Sequence, residues 1–254
     1  MMQQRWPERL WIVRHGESSG NVARAAALAA RQARIDVAER DVDVPLSSLG
    51  GQQSRTLGRW FAAMPEHERP EVLLTSPYRR ARQTAEWMHK QGALGSEPGR
   101  MVVDERLREK EFGVLDRLTS HGIAEQYPDQ VEFRRFLGKF YHRPPGGESW
   151  CDVILRLRSA LDTISLHHSG RRVLIVGHQV VVLCLRYLLE GLTEEEILAI
   201  DREGDVANCG VTEYSFDPDP APGGALVLRR YNFIAPLEDE GTETTAEPAG
   251  GGAR

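Results

Sequence analysis

The stretch from residue 10 to residue 18 combines a short apolar run with a basic pair and a turn. Leu10–Val13 is apolar without a break, and Arg14, His15 and Gly16 follow it directly. A run of this length that ends at a glycine is typical of a buried strand, and the glycine allows a tight turn and close approach of a ligand. Ligands of open α/β sheets bind outside the carboxyl ends of the strands. The sequence therefore predicts that Arg14 and His15 lie at a ligand site.

Two later segments repeat this arrangement of an apolar run before a polar turn and a helix. Val72–Thr75 leads to Ser76, which we predict as a helix N-cap, and Arg172–Val176 leads to Gly177 and His178. Val72–Thr75 is predicted as a short buried strand, and the even apolar character of Arg172–Val176 is typical of a parallel strand that is buried on both faces. An alanine-rich helix is predicted to follow the first strand over residues 19–37.

These elements predict an α/β fold, a three-layer α/β/α sandwich with a mostly parallel central sheet. Val211–Phe216 and Ala225–Tyr231 flank a segment rich in proline and glycine, and they predict an antiparallel edge. We expect one domain, with helices on both faces of the sheet. The predicted division is an N-terminal extension (1–9), the domain (10–235) with an insertion over the carboxyl edge of the sheet (about 113–145), and an acidic, disordered tail (236–254).

The charge of the chain argues against several classes of partner. The formal net charge is -5, but five of the acids follow Leu237, so the body is nearly neutral. No basic stripe with interleaved aromatic residues is present, and we expect no nucleic-acid partner. The apolar runs are far shorter than the roughly 20 residues of a bilayer span, and the first nine residues lack the apolar stretch of a signal peptide. We therefore expect no membrane partner and a cytoplasmic location; the oligomeric state is not predicted.

Histidine and arginine residues gather at the predicted strand ends. His15 and His178 each follow a strand, and Arg79 and Arg80 follow the strand that ends at Thr75. Arginine forks match phosphate oxygens, and a neutral imidazole is a competent nucleophile toward phosphorus near neutral pH. The residues themselves therefore favour phosphoryl transfer.

The same residues resemble the histidine phosphatase superfamily, which includes phosphoglycerate mutases and acid-type phosphatases. The resemblance covers most of residues 10–232 and rests on five motifs in family order. These motifs are Arg-His-Gly-Glu at 14–17 with Asn21, Ser-Pro-Tyr-Arg-Arg-Ala-Arg-Gln-Thr-Ala at 76–85, Leu-Arg-Glu-Lys-Glu-Phe-Gly at 107–113, Gly-Gly-Glu-Ser at 146–149, and Gly-His at 177–178. The likeness implies a fold similar to that of phosphoglycerate mutase.

The resemblance also implies a role for each candidate catalytic residue. His15 would attack phosphorus and become phosphohistidine, and Glu109 would protonate the leaving oxygen and then activate water. The resemblance also selects Arg80, and not Arg79, as the arginine that binds phosphate. The phosphate oxygens would be held by Arg14, Asn21, Arg80 and His178. Neither a metal nor a cofactor is implied.

The expected function is that of a metal-independent phosphomonoester hydrolase that acts on a small phosphorylated metabolite or phosphoester. A phosphoglycerate mutase-type phosphotransferase is the closest alternative, but residues 113–118 match the arginine-rich mutase elements poorly. A phospholigand-binding protein without turnover is a weaker alternative. Candidate specificity residues in the insertion are Tyr141, His142 and Arg143. Glu148 and Ser149 are expected to stabilise a helix start, and for Glu17 both a place at a helix N-terminus and a catalytic part stay open.

Overall fold

Within the residues that the structure describes, the central sheet has six strands in one layer. The computed structural model describes residues 5–95, 100–219 and 223–246. The strands are β1 (Arg9–Arg14), β2 (Val72–Thr75), β3 (Arg100–Val103), β4 (Arg172–Gly177), β5 (Val211–Asp217) and β6 (Ala225–Phe233). Their order across the sheet is β3-β2-β4-β1-β5-β6. β1 to β4 are parallel, whereas β5 and β6 are antiparallel, so the predicted mixed sheet is confirmed.

Helices cover both faces of this sheet. The helices of the described residues are α1 (Ser19–Ala29), α2 (Ser48–Ala62), α3 (Arg79–Lys90), α4 (Ser120–Gln126), α5 (Pro128–Tyr141), α6 (Trp150–His167), α7 (Gln179–Glu190), α8 (Glu194–Glu203) and α9 (Ala235–Glu238). α6 and α7 pack on one face, and α2 and α3 pack on the other. Within the described residues, no helix is both long enough and apolar enough to span a bilayer.

The opening strand lies in the middle of this core. Leu10 and Ile12 pack toward the layer of α6 and α7, and Trp11 and Val13 pack toward α2 and α3. All four side chains are fully buried. Because successive side chains of a strand point to opposite faces, a continuous apolar run serves two cores at once. This packing fixes the position of the residues that follow β1.

The first helix is shorter than the sequence predicts. α1 ends at Ala29, and the chain then runs irregularly to Ser47, with one 3₁₀ turn at Asp41–Asp43. The backbone of this stretch bonds to the insertion at positions where a helix would bond to itself: the N–H of Ile35 donates to the carbonyl of Arg117 over 2.9 Å, and the carbonyl of Ala33 accepts from the N–H of Thr119 over 3.1 Å. The predicted helix over 19–37 is therefore wrong in its second half, because a tertiary partner replaces the helical hydrogen bonds.

The chain after β6 also differs from its prediction. Residues 236–246 are ordered, and Leu237 is fully buried beside Leu57 and Phe61 of the α2 layer. Arg59 pairs with Glu240 on the surface. The first part of the predicted tail (236–254) thus packs against the domain through one buried leucine in an otherwise polar segment, and disorder of the rest stays a prediction. Residues 247–254 lie outside the described residues.

Candidate active site

The two histidines at the strand ends lie side by side. β1 and β4 are neighbours, with Arg14 opposite Gly177, and the N–H of His15 donates to the Gly177 carbonyl over 2.9 Å. The ring centroids of His15 and His178 are 5.1 Å apart, in an edge-to-face arrangement. The convergence expected from the sequence is therefore present in the structure.

The imidazole of His15 is oriented by its own loop. Its Nδ1 lies 2.7 Å from the carbonyl oxygen of Gly16. Because a carbonyl only accepts, this contact assigns the proton to Nδ1 and leaves a lone pair on Nε2. Nε2 lies 3.2 Å from Nε of Arg80, which donates to it. The nitrogen suited to attack phosphorus thus faces a guanidinium group.

The start of α2 presses against the loop that follows His15. A Cβ on Gly16 would lie 2.6 Å from the carbonyl oxygen of Gly50, and a Cβ on Gly50 would lie 1.9 Å from that of Glu17. The Glu17 carboxylate accepts a 2.6 Å hydrogen bond from Ser47, the N-cap of α2. The close approach predicted for a ligand at Gly16 is therefore made by a helix, and Glu17 supports the start of that helix.

Arg14 and His178 lie beneath the surface of the site, and both are fully buried. The Arg14 guanidinium donates to the carbonyl of Val206. The imidazole Nε2 of His178 lies 2.7 Å from the Ser76 hydroxyl. Burial, with the nearby charge of Arg80, holds the pKa of His178 well below its ordinary value of 6.5, so this imidazole is neutral.

The contact between Ser76 and His178 also corrects a prediction. The N-cap of α3 is Tyr78, whose side chain makes no capping hydrogen bond, so Ser76 is not the cap. The hydroxyl of Ser76 instead forms a hydrogen bond with the imidazole of His178, which is 102 positions later in the chain. The Tyr78 ring also packs edge-to-face against the imidazole of His178, with centroids 5.0 Å apart.

Arg80 is engaged by a carboxylate that the sequence does not single out. Its Nη1 donates to Asp41 Oδ1 over 2.9 Å and to the Asp41 carbonyl over 2.6 Å, and its Nη2 donates to Oδ2 over 3.2 Å. The side chain of Arg80 is buried, whereas that of Asp41 is 37% exposed. A paired carboxylate uses the same fork of donors that would bind phosphate oxygens. Asp41 therefore lies where it would compete with a phosphate group.

Glu109 is held at the site by its main chain. It is 3% exposed, and its Oε1 accepts from the N–H of Lys110 over 2.8 Å. Its carbonyl accepts a hydrogen bond from Arg156, whose guanidinium also binds both oxygens of Glu148. Glu148 thus positions the segment that carries Glu109, a structural role that differs from the helix start expected for it. Ser149 caps α6 through a capping box with Asp152, as predicted.

Asn21 combines helix capping with a place at the site. Its Oδ1 accepts hydrogen bonds from the N–H and the hydroxyl of Ser18, each 2.9 Å long. Ser18 is the N-cap of α1, so the two residues form a capping box. Since the amide oxygen is used in the cap, the amide NH₂ is the group that an anion at this helix start would meet.

One cavity joins four of the predicted site residues, His15, Asn21, Arg80 and Glu109. It holds about 730 Å³ of space, including its open mouth. Its apolar wall comes from the loop after α1 and from the insertion, and consists of Ile35, Val37, Val44, Phe112, Leu115 and Leu118. In the described part of the chain, no group of three or more His, Cys, Asp or Glu side chains could hold a metal ion.

The three candidate specificity residues do not line this cavity. His142 is buried against Gln130, 3.2 Å from its Oε1, and the exposed Arg143 pairs with Asp152. Tyr141 is 53% exposed. Their role in specificity stays a prediction without a contact to the cavity.

The sequence analysis did not single out three carboxylates that do line the cavity. They are Glu39, Asp41 and Asp116.

The chain matches the family model of the histidine phosphatase superfamily (branch 1) over residues 10–223. A similar relative is the probable phosphoglycerate mutase GpmB of Photorhabdus laumondii, 28% identical over 232 residues, which are 91% of this chain and 95% of the relative.

Two solved structures show the same fold. Bacillus stearothermophilus YhfR has 25% identity and a TM-score of 0.68, over 90% of this chain and 98% of that one. The mycobacterial glucosyl-3-phosphoglycerate phosphatase has 23% identity and a TM-score of 0.65, over 89% of this chain and 100% of that one. With the matched family model, the ordered motifs and this architecture, the chain belongs to the histidine phosphatase superfamily (branch 1).

Proposed function

We propose that this enzyme is a metal-independent phosphomonoester hydrolase that works through phosphohistidine at His15. The observation that carries the proposal is the lone pair on His15 Nε2, which faces Arg80 in the cavity that Glu109 also lines. Such an arrangement brings nucleophile, anion-binding group and proton donor to one phosphate. Family membership supports the same chemistry.

The reaction has two displacement steps. In the first, His15 Nε2 forms a bond to phosphorus, the P–O ester bond breaks, and Glu109 gives its proton to the leaving alcohol oxygen. In the second, Glu109 takes a proton from water, the water oxygen bonds to phosphorus, and the P–N bond returns its electron pair to His15. Arg14, Arg80 and the neutral His178 stabilise the equatorial oxygens in both transition states, and Asn21 adds its amide.

The composition of the cavity favours an uncharged leaving group. Beyond its phosphate end, which His15 and Arg80 define, the cavity offers the six apolar side chains together with Glu39 and Asp116, and Asp41 lies at the boundary, paired with Arg80. A second anionic group on the substrate would meet these carboxylates. We therefore propose small phosphomonoesters of apolar or uncharged alcohols as the substrate class.

The mutase alternative is favoured by other features of the same cavity. Arg24 and Arg117 also line it, and the GpmB relative is named a probable phosphoglycerate mutase. Arg117, however, donates to the carbonyl of Val37 and lies 3.6 Å from Asp116. Its charge is thus partly satisfied within the protein, which supports hydrolysis over transfer. The cytoplasmic location and the lack of a nucleic-acid partner stay predictions from the sequence.

The test is turnover of p-nitrophenyl phosphate and of 3-phosphoglycerate by wild type and by His15→Ala. We expect release of inorganic phosphate from the aryl ester, and an acid-labile phosphoryl group trapped on the wild type alone. Interconversion of phosphoglycerates without phosphate release would establish the mutase. If neither compound turns over at any pH and no phosphoenzyme forms, the chain is a binding protein.

A further inference from the structure

The segment after α9 crosses behind the loop that carries the nucleophile. The hydroxyl of Thr242 lies 2.9 Å from that of Thr56 on α2. Further along, Gln53 of α2 donates its amide Nε2 to the carbonyl of Glu243 over 3.0 Å. We call residues 242–245 the C-terminal strap. These contacts place the strap along the buried side of α2.

The strap ends on a hydroxyl that joins two buried amides. Thr245 Oγ1 accepts from Gln53 Nε2 over 3.0 Å and donates to Asn208 Oδ1 over 3.0 Å. The N–H of Asn208 also donates to the carbonyl of Thr245, over 2.8 Å. One hydroxyl thus uses its proton and a lone pair on two partners, as its chemistry allows.

The same two amides hold the main chain of the catalytic loop. Gln53 Oε1 accepts from the N–H of Glu17 over 2.9 Å, and Asn208 Nδ2 donates to the carbonyl of His15 over 2.9 Å. Gln53 is fully buried, and Asn208 is 1% exposed. Each amide therefore has one end on Thr245 and the other end on the loop that contains the nucleophile.

We propose that Thr245 is a positioning residue for His15. It fixes the rotation of both amides, and these fix the backbone on either side of Gly16. Because His15 Nδ1 is bonded to the Gly16 carbonyl, the direction of Nε2 follows the backbone of this loop. Small misplacements of a reacting group cost rate out of proportion to their size. The inference rests on the proposed function, since the affected step is transfer of phosphate to His15.

The strap itself offers a matched control. Thr245→Val removes the bridging hydroxyl at constant shape, and Thr242→Val removes the hydroxyl that meets only Thr56. We expect Thr245→Val to lower kcat on p-nitrophenyl phosphate by about five- to thirtyfold, since a buried amide oxygen loses its donor. The inhibition constant of inorganic phosphate stays within about twofold because Arg80 and His178 remain in place. Thr242→Val leaves both quantities within about twofold, and Thr245→Ser restores kcat.

Other outcomes separate positioning from general destabilisation. Equal kcat in the two valine variants, or a joint loss of kcat and phosphate affinity in both, would overturn the proposal. Should Thr245→Val not fold, Thr245→Ser and Thr245→Ala decide: a serine variant near wild type beside an alanine variant at least about fivefold slower supports positioning, and equal rates refute it. A wild type inactive on every aryl phosphate would contradict the proposed function instead.

Discussion

The two ends of the cavity are built in different ways. At the phosphate end, His15 lines the cavity and His178 is buried beside it; both follow adjacent strands, which are joined there by the 2.9 Å bond from the N–H of His15 to the carbonyl of Gly177. At the leaving-group end, the walls come from the irregular stretch 30–47 and from residues 112–118 of the insertion. Groups on packed strands are held more accurately than groups on loops. We therefore expect the sheet to determine the reaction and the loops to determine which ester binds.

A variant at the nucleophile gives the largest expected effect. His15→Ala removes the atom that bonds to phosphorus, and we expect kcat/KM on p-nitrophenyl phosphate to fall by at least about 10³-fold. His89→Ala, at an exposed position of α3, is the control and should keep wild-type turnover. Substantial activity in the His15 variant would show that the phosphate end is not centred on this residue.

A variant at Arg80 tests whether the phosphate end needs the paired donors of a guanidinium group. Arg80→Lys keeps the charge but loses the paired donors that face His15 and Asp41, so we expect kcat/KM to fall by about 10²-fold or more. The exposed neighbour Arg79 provides the matched variant, Arg79→Lys, which should differ little from wild type. Similar losses in both would contradict the selection of Arg80.

A variant at Asp41 tests whether the carboxylate between the two ends of the cavity competes with phosphate for Arg80. If its carboxylate competes with phosphate for Arg80, Asp41→Asn lowers KM and the inhibition constant of inorganic phosphate, by about two- to fivefold for a partly exposed pair. Asp43→Asn, on the same turn but paired with the exposed Arg40, should change neither. A rise in both constants for Asp41→Asn would mean that Asp41 orients Arg80 instead of competing with its ligand.

The smallest expected effect concerns the pH dependence of stability. The pKa of His178 is well below 6.5 in the folded protein, so between these two values the unfolded chain binds more protons. The contribution of neutral His178 to the free energy of unfolding is therefore present above pH 6.5 and is lost as the pH falls below 6.5. Between pH 7.5 and 5, the Tm of His178→Gln should therefore fall less than that of wild type, by about 2–4 °C. Parallel falls in Tm would show that His178 accepts its proton normally.

The local pattern was enough to find the elements that carry the phosphate end. Unbroken apolar runs predict β1 and β4, and a strand end that meets a glycine explains why His15 and His178 could be named as a pair. Arg80 and Glu109 could be chosen only through likeness to a family, because arginine and glutamate are common beside them in the sequence. Ser76 was misassigned as a cap, since nothing local indicates that a distant histidine uses its hydroxyl.

By itself, the sequence determined the buried strands β1, β2 and β4, the antiparallel edge of the sheet, and the chemical types that meet at the sheet edge. These follow from short-range periodicity and from the side chains themselves. Tertiary structure alone decided that Asp41 pairs with Arg80, that α1 stops at Ala29, and that Thr245 reaches Asn208 and Gln53. Each depends on hydrogen bonds between residues far apart in the chain, and such partners become defined only when the packed core brings their backbones together.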